Sequence, residues 1–182
     1  MLCVGCGSGA TEAALVQRGV QVTAIPLDAV VARLLQDQGV YTVEPDFGRA
    51  FGALQRQQFD AIVLSEVLQH LPEPVGLLRR LKGLLEPSGV LIGSVPNLCA
   101  ARRCAGRLLA KNKQRFRGMG DFSGTQMNLS SLSGTRRWLK AGGLAVLGMG
   151  YSAGPAPCAP RGRWSGLLPG AASVAHVLFV AR

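Results

Sequence analysis

The chain has 182 residues, 48% hydrophobic and 16% charged, a balance that suits one compact domain and excludes disorder and coiled coil. Its 24 Gly and 10 Pro follow no fixed period, which excludes collagen-like, solenoid and low-complexity chains. The net charge of +10 is uneven, with 7 Lys/Arg against 9 Asp/Glu in residues 1–86 and 13 against 1 in residues 87–182.

Leu2-Cys3-Val4 reads as a first strand, followed by a glycine-rich turn and a helix from about Thr11 to Arg18 closed by Gly19. Val20 to Ile25 is expected as a second strand, Ala29 to Gln38 as a helix ending at Gly39, Val40 to Val43 as a third strand, and Arg49 to Gln55 as a short helix. Asp60 to Ser65 reads as a buried strand. Pro74 to Leu85 reads as an amphipathic helix with Leu77, Leu78, Leu81, Leu84 and Leu85 on one side, and Val90 to Val95 as the fifth strand. After Pro96 the pattern changes: residues 98–117 look helical and basic, Gly118 to Ser131 is polar and irregular, and Leu132 to Lys140 is a helix ending near Gly142. Val146 to Tyr151 and Val174 to Ala181 are the last strands, and the Pro- and Gly-rich stretch Ser152 to Ser173 is expected as a long surface loop joining them as an antiparallel pair.

Strands alternating with helices imply a parallel sheet covered on both faces. The expected fold is therefore α/β: a doubly wound, mostly parallel, Rossmann-like sheet of seven strands with a final antiparallel strand. One domain spans 1–182, with residues 98–131 as an insertion on the lid or substrate side.

No stretch approaches the roughly 18 apolar residues of a membrane span, and residues 1–9 carry no basic region or apolar core of a signal peptide, so a soluble, cytoplasmic chain is expected. Cys3, Cys6, Cys99, Cys104 and Cys158 are an odd number and read as reduced thiols. No second Cys or His cluster accompanies Cys3 and Cys6 to complete a zinc site, so no metal is expected. Arg102, Arg103, Arg107, Lys111, Lys113, Arg115 and Arg117 concentrate positive charge that suits nucleic acid, anionic lipid or a phosphorylated substrate, or forms only a solvated helix face. Trp138, Trp164, Tyr41 and Tyr151 are not interleaved with these charges, so no stacking platform for nucleic acid is visible, and Trp138 reads as a core residue of its helix.

Gly5-Cys6-Gly7-Ser8-Gly9 lies between a strand and a helix, where glycine admits close backbone approach and the helix N-terminus offers free N–H groups. The turn can be spelled G-x-G-x-G, or G-x-G-x-x-A with Ala10 as the third position of a dinucleotide fingerprint. A dinucleotide site wants an acid ending the second strand; Pro26 stands there, with Asp28 two residues later.

Three further segments stand in order after this turn. Phe59 to Leu71 (FDAIVLSEVLQHL), Leu84 to Ile92 (LLEPSGVLI), and Val95-Pro96-Asn97 with Thr125 to Leu144 complete a pattern that resembles the class I S-adenosylmethionine-dependent methyltransferases. Within them the sequence is most similar to the small methyltransferase-domain group that includes ubiquinone- and methionine-biosynthesis relatives. The resemblance covers nearly the whole chain, more weakly after residue 97.

That resemblance implies S-adenosyl-L-methionine as cofactor, with Gly5, Cys6, Gly7 and Gly9 supporting its methionine end, Asp28 taking the ribose hydroxyls and Asp46 the adenine amino group. The alternative roles are helix cap for Asp28 and turn residue or cap for Asp46. Ser65, Glu66 and Leu68 follow the fourth strand and are expected to border the transferred methyl. His70 is the catalytic candidate, as a base beside the acceptor or as a structural His fixing the loop into Pro72 and Pro74. Relatives often carry Glu where Gln69 stands, His where Gln126 stands, and helices ahead of the first strand. The chain is thus expected to be either a fragment or a protein whose basic segment 98–124 is its only lid.

The expected function is methyl transfer to a small, anionic or phosphorylated acceptor. The alternative is a degenerate, non-catalytic domain of the same fold that holds nucleic acid or a protein partner through its basic half. A nicotinamide-dependent oxidoreductase is disfavoured by the fourth- and fifth-strand segments.

Overall fold

The computed structural model describes residues 1–97, 128, 130–153 and 174–182. Seven strands form one sheet in the order β3-β2-β1-β4-β5-β7-β6. The strands are β1 (Leu2–Cys6), β2 (Thr23–Pro26), β3 (Tyr41–Thr42), β4 (Phe59–Ser65), β5 (Leu85–Pro96), β6 (Val146–Ala153) and β7 (Val174–Ala181). The pairs among β1 to β5 are parallel, whereas β7 runs antiparallel between β5 and β6. The doubly wound, mostly parallel sheet with a final antiparallel strand is as expected.

β1 lies inside the sheet between β2 and β4, and Leu2, Cys3 and Val4 are all buried because helices cover both faces there. On one face α1 (Ala10–Gln17) and α2 (Ala29–Asp37) bury a small core around Cys3, Cys6, Ala24 and Leu35. On the other, α3 (Phe47–Leu54), α4 (Pro74–Lys82) and α5 (Leu132–Ala141) share a larger core that includes Leu54, Ile62, Leu78, Leu81 and Leu139. Trp138 packs against that core, as its helical position suggested.

Most elements differ from their sequence-based bounds by a residue or more, β5 starting at Leu85 rather than Val90, and three of the differences have a clear physical reason. β2 starts at Thr23 rather than Val20, with Thr23 opposite Leu2, the first residue of β1. β3 keeps only Tyr41 and Thr42, a short edge strand of the kind that limits edge-to-edge pairing. The helix expected to reach Leu85 ends at Lys82: Gly83 closes it, the Leu84 carbonyl accepts the Phe59 N–H at 2.8 Å, and Leu85 enters the sheet opposite Phe59. Gly89 is required within β5, since a Cβ there would lie 2.8 Å from the Phe59 carbonyl oxygen. The sequence bounds mislead because Leu84 and Leu85 are buried in either conformation.

β7 enters the sheet beside β5 with Phe179 over Gly93, where a Cβ would come within 2.4 Å of the Phe179 ring. That fit fixes the register and sets His176 opposite Pro96, at the carboxyl end of β5. The basic window, most of the 98–131 insertion, Gln126, Trp164, the 154–173 part of the expected loop, and Cys99, Cys104 and Cys158 lie outside the described residues. No described helix is long and apolar enough to cross a membrane, and no described group of three or more His, Cys, Asp or Glu could hold a metal.

Candidate functional site

At the carboxyl ends of β1 and β4 the sheet opens into a cleft of about 530 Å³. Its floor is the turn from Gly5 to Gly9 and the start of α1, its wall is Ser65, Glu66, Val67, His70 and Leu71, and Leu27 lies at its other side.

The three glycines of the turn do different things. Gly5 and Gly9 hold φ of 74° and 76°, in the left-handed region, and a Cβ at Gly5 would fall 2.2 Å from Val67 Cγ2 while one at Gly9 would fall 2.8 Å from Leu35 Cδ2. These two let the chain reverse against its neighbours. A Cβ at Gly7 would meet nothing within 4 Å, so packing does not require glycine at this cleft-lining position. Gly9 caps α1 without a side-chain hydrogen bond, and Ala10, Thr11 and Glu12 of the first turn of the helix line the cleft.

Glu12, in the first turn of α1, is buried and lines the cleft. Sequence reasoning passed over it; the signal was an acid one turn after the glycine turn. Beside it the Cys6 thiol donates to the Cys3 carbonyl at 3.6 Å. That bond to Cys3, burial and the Glu12 carboxylate together push the Cys6 thiol well above the ordinary range, so it stays protonated and forms an inert part of the wall.

The β4 side carries polar side chains beside the apolar Val67 and Leu71. Glu66 has φ 59°, a left-handed conformation uncommon outside glycine, and its N–H donates to the Ser94 carbonyl at 3.1 Å. Its carboxylate accepts the Ser94 hydroxyl at 3.1 Å, and Nε2 of His176 lies 3.6 Å from the same oxygen. Buried Gln69 donates from Nε2 to the Glu66 carbonyl at 2.7 Å, while its Oε1 is buried with no hydrogen-bond partner among the described residues. Asn128 closes over this segment, its backbone N–H donating to the Gln69 carbonyl at 2.8 Å and its side-chain amide to the Leu71 carbonyl.

Of the residues expected from sequence, Gly5, Cys6, Gly7, Gly9, Ser65, Glu66 and His70 come together on the cleft. Leu68 points into the core at 0% exposure. Asp28 and Asp46 are exposed helix caps, outside the cleft lining. Asp28 Oδ1 accepts from the backbone N–H of Val30 and of Val31 at 2.8 Å each, and Asp46 Oδ1 from that of Arg49 at 2.8 Å. His176 was missed, because only the insertion of β7 beside β5 brings it to Glu66.

The methyltransferase-domain family matches residues 2–148 of this sequence. A ubiquinone biosynthesis O-methyltransferase of Actinobacillus pleuropneumoniae is 35% identical over 108 residues, covering 53% of this chain and 45% of the relative. One from Xanthomonas campestris is 37% identical over 107 residues, covering 53% and 43%. The chain thus spans less than half the length of these curated relatives. Among solved structures, the N-methyltransferase NodS of Bradyrhizobium japonicum in complex with S-adenosyl-L-homocysteine superposes with a TM-score of 0.62 at 16% identity, covering 100% of this chain and 76% of NodS. The cyclase SpnF superposes with a TM-score of 0.67 at 19% identity, covering 100% and 73%, so the fold by itself does not fix the reaction. The match over residues 2–148 places the chain in the methyltransferase-domain family, among the class I S-adenosyl-L-methionine-dependent methyltransferases.

Proposed function

We propose that this chain transfers a methyl group from S-adenosyl-L-methionine to an oxygen of a small, anionic acceptor. The observation that carries the reading is the turn after β1, where Gly5 and Gly9 take left-handed conformations and Gly7 has open space in a cleft that the first turn of α1 also lines. Such a cradle fits the amino-acid end of the cofactor.

When bound, the cofactor supplies an electrophilic methyl group on a sulfonium sulfur. In this reading Gly5, Cys6, Gly7 and Gly9 hold its methionine end. The Oδ2 atoms of Asp28 and Asp46 take the ribose and the adenine, their Oδ1 atoms being engaged as caps. Ser65, Glu66 and His70 border the acceptor on the β4 side of the cleft, where they orient it and exclude water. The names of the curated relatives support oxygen as the methylated atom. The excess of 13 Lys/Arg over 1 Asp/Glu in residues 87–182 supports an anionic acceptor.

Calorimetric titration with S-adenosyl-L-homocysteine, beside NAD as a control, tests the reading. The Cβ added by Gly7→Val meets nothing within 4 Å, so the variant is expected to weaken S-adenosyl-L-homocysteine binding by at least ~100-fold, about 2.7 kcal/mol, at unchanged melting temperature. Unchanged affinity in the folded variant, or preference for NAD, would overturn it.

A further inference from the structure

The residues that line the cleft include two carboxylates, Glu12 and Glu66, and no Lys or Arg. Glu66 is compensated, since it accepts the Ser94 hydroxyl at 3.1 Å and faces His176 Nε2 at 3.6 Å. Glu12 is only 8% exposed, and among the described residues no cationic group lies in ion-pair range of it. Its neighbour is the Cys6 thiol, a weak donor that carries no positive charge. An acid in the first turn of a helix commonly answers the helix dipole, but it does so as well from the surface, so that role does not account for the burial. Burying a carboxylate with no cation beside it is costly, and here the cost is kept in the wall of the cleft, one turn of helix from Gly9. A metal ion would need more ligands, and no described group of three or more His, Cys, Asp or Glu could hold one. An ammonium group needs a single carboxylate and a few carbonyl oxygens.

We infer that Glu12 is the counter-charge for the ammonium group at the cofactor's methionine end, and that it makes the cleft select ligands that carry this group. This deepens the methyl-transfer reading and rests on it. The glycines of the turn supply no charge, so a zwitterion seated on them finds its counter-charge for the ammonium in Glu12, the cleft-lining carboxylate with no cation of its own. Cys6 stays protonated and puts no second anion beside it. The sulfonium is the cofactor's other cation, but S-adenosyl-L-homocysteine has an uncharged thioether there and keeps the ammonium, so binding of that ligand reads the ammonium alone.

The test is calorimetry on the wild type and on Glu12→Gln, which keeps the side-chain shape and removes the charge. The probes are S-adenosyl-L-homocysteine and its deaminated analogue, in which thiobutyrate replaces homocysteine. S-adenosyl-L-homocysteine is expected to bind Glu12→Gln at least ~30-fold more weakly than the wild type, the cost of leaving one partner of a buried charge pair alone. The analogue is expected to bind the wild type more weakly than S-adenosyl-L-homocysteine does, and to lose no more than about twofold in the variant, because the group that Glu12 serves is already gone. Without ligand, Glu12→Gln is expected to melt no lower than the wild type, since it removes an uncompensated buried charge. Equal losses for the two probes, unchanged affinity for S-adenosyl-L-homocysteine, or a variant that is destabilised or does not fold would make Glu12 a structural residue and overturn the proposal, while the methyl-transfer reading stands. If S-adenosyl-L-homocysteine does not bind the wild type, both fall.

Discussion

The two walls of the cleft are built by different means. The turn after β1 is a backbone device: its shape comes from Gly5 and Gly9 in left-handed conformations, and what the proposed reading gives it to hold a ligand with is the backbone at the start of α1. The rim beyond β4 is a side-chain device, in which Glu66, Ser94 and His176 converge from three strands. A backbone cradle suits a ligand common to a whole family, because nothing in it depends on side-chain identity beyond the glycines and Glu12. A side-chain rim can change with each acceptor while the sheet beneath stays the same.

Gly5→Ala tests the backbone half most severely. The added Cβ would stand 2.2 Å from Val67 Cγ2 and the residue would have to hold φ 74°, so strain and overpacking act together. The expected loss is about 3 kcal/mol of stability without any ligand, read from urea denaturation. Gly7→Val, two residues on, should leave that curve unchanged and lose the ligand instead. Equal destabilisation by both would mean that the turn is a folding element throughout, and the division of labour among its glycines would fail.

The same contrast explains what could be read from the sequence. The alternation of strands and helices and the turn after β1 were legible because Leu2-Cys3-Val4, the glycines and the following helix are contiguous, and local chemistry decides them. The end of α4 was not, since Leu84 and Leu85 continue the helical apolar spacing and only the pairing of Leu85 with Phe59 pulls them into the sheet. The pairing of His176 with Glu66 was illegible for a stronger reason: it is set by the β5–β7 register, which depends on Phe179 filling the space over Gly93. Glu12 lay in plain view but looked like an ordinary acid at a helix start.

Asp28 and Asp46 probe the boundary between fold and site, because each is a cap that the functional reading also assigns to the cofactor. Replacing either by Ala removes a side-chain acceptor from helix N–H groups and should cost about 1 kcal/mol without ligand. For a chain of this length that is roughly 2–4 °C in melting temperature, with Asp28 the larger because it serves two N–H groups. Affinity for S-adenosyl-L-homocysteine, measured separately, is expected to fall as well. A loss of stability with unchanged affinity would reduce both residues to caps and leave the cofactor held by the turn alone.

The mildest change, Ser94→Ala, sharpens the comparison from the side of the rim. It removes the hydroxyl that donates to Glu66, yet the Glu66 side chain is 38% exposed, so water can replace the lost donor. Stability is therefore expected to change by no more than about 0.5 kcal/mol, and S-adenosyl-L-homocysteine affinity to stay within about twofold. What should fall is turnover of the acceptor that Glu66 borders, and Ser94→Thr, which keeps a hydroxyl, should recover part of it. Calorimetry on the same preparation separates the outcomes. If Ser94→Ala weakens S-adenosyl-L-homocysteine as strongly as Gly7→Val does, the rim belongs to the cofactor site and the two walls are one device.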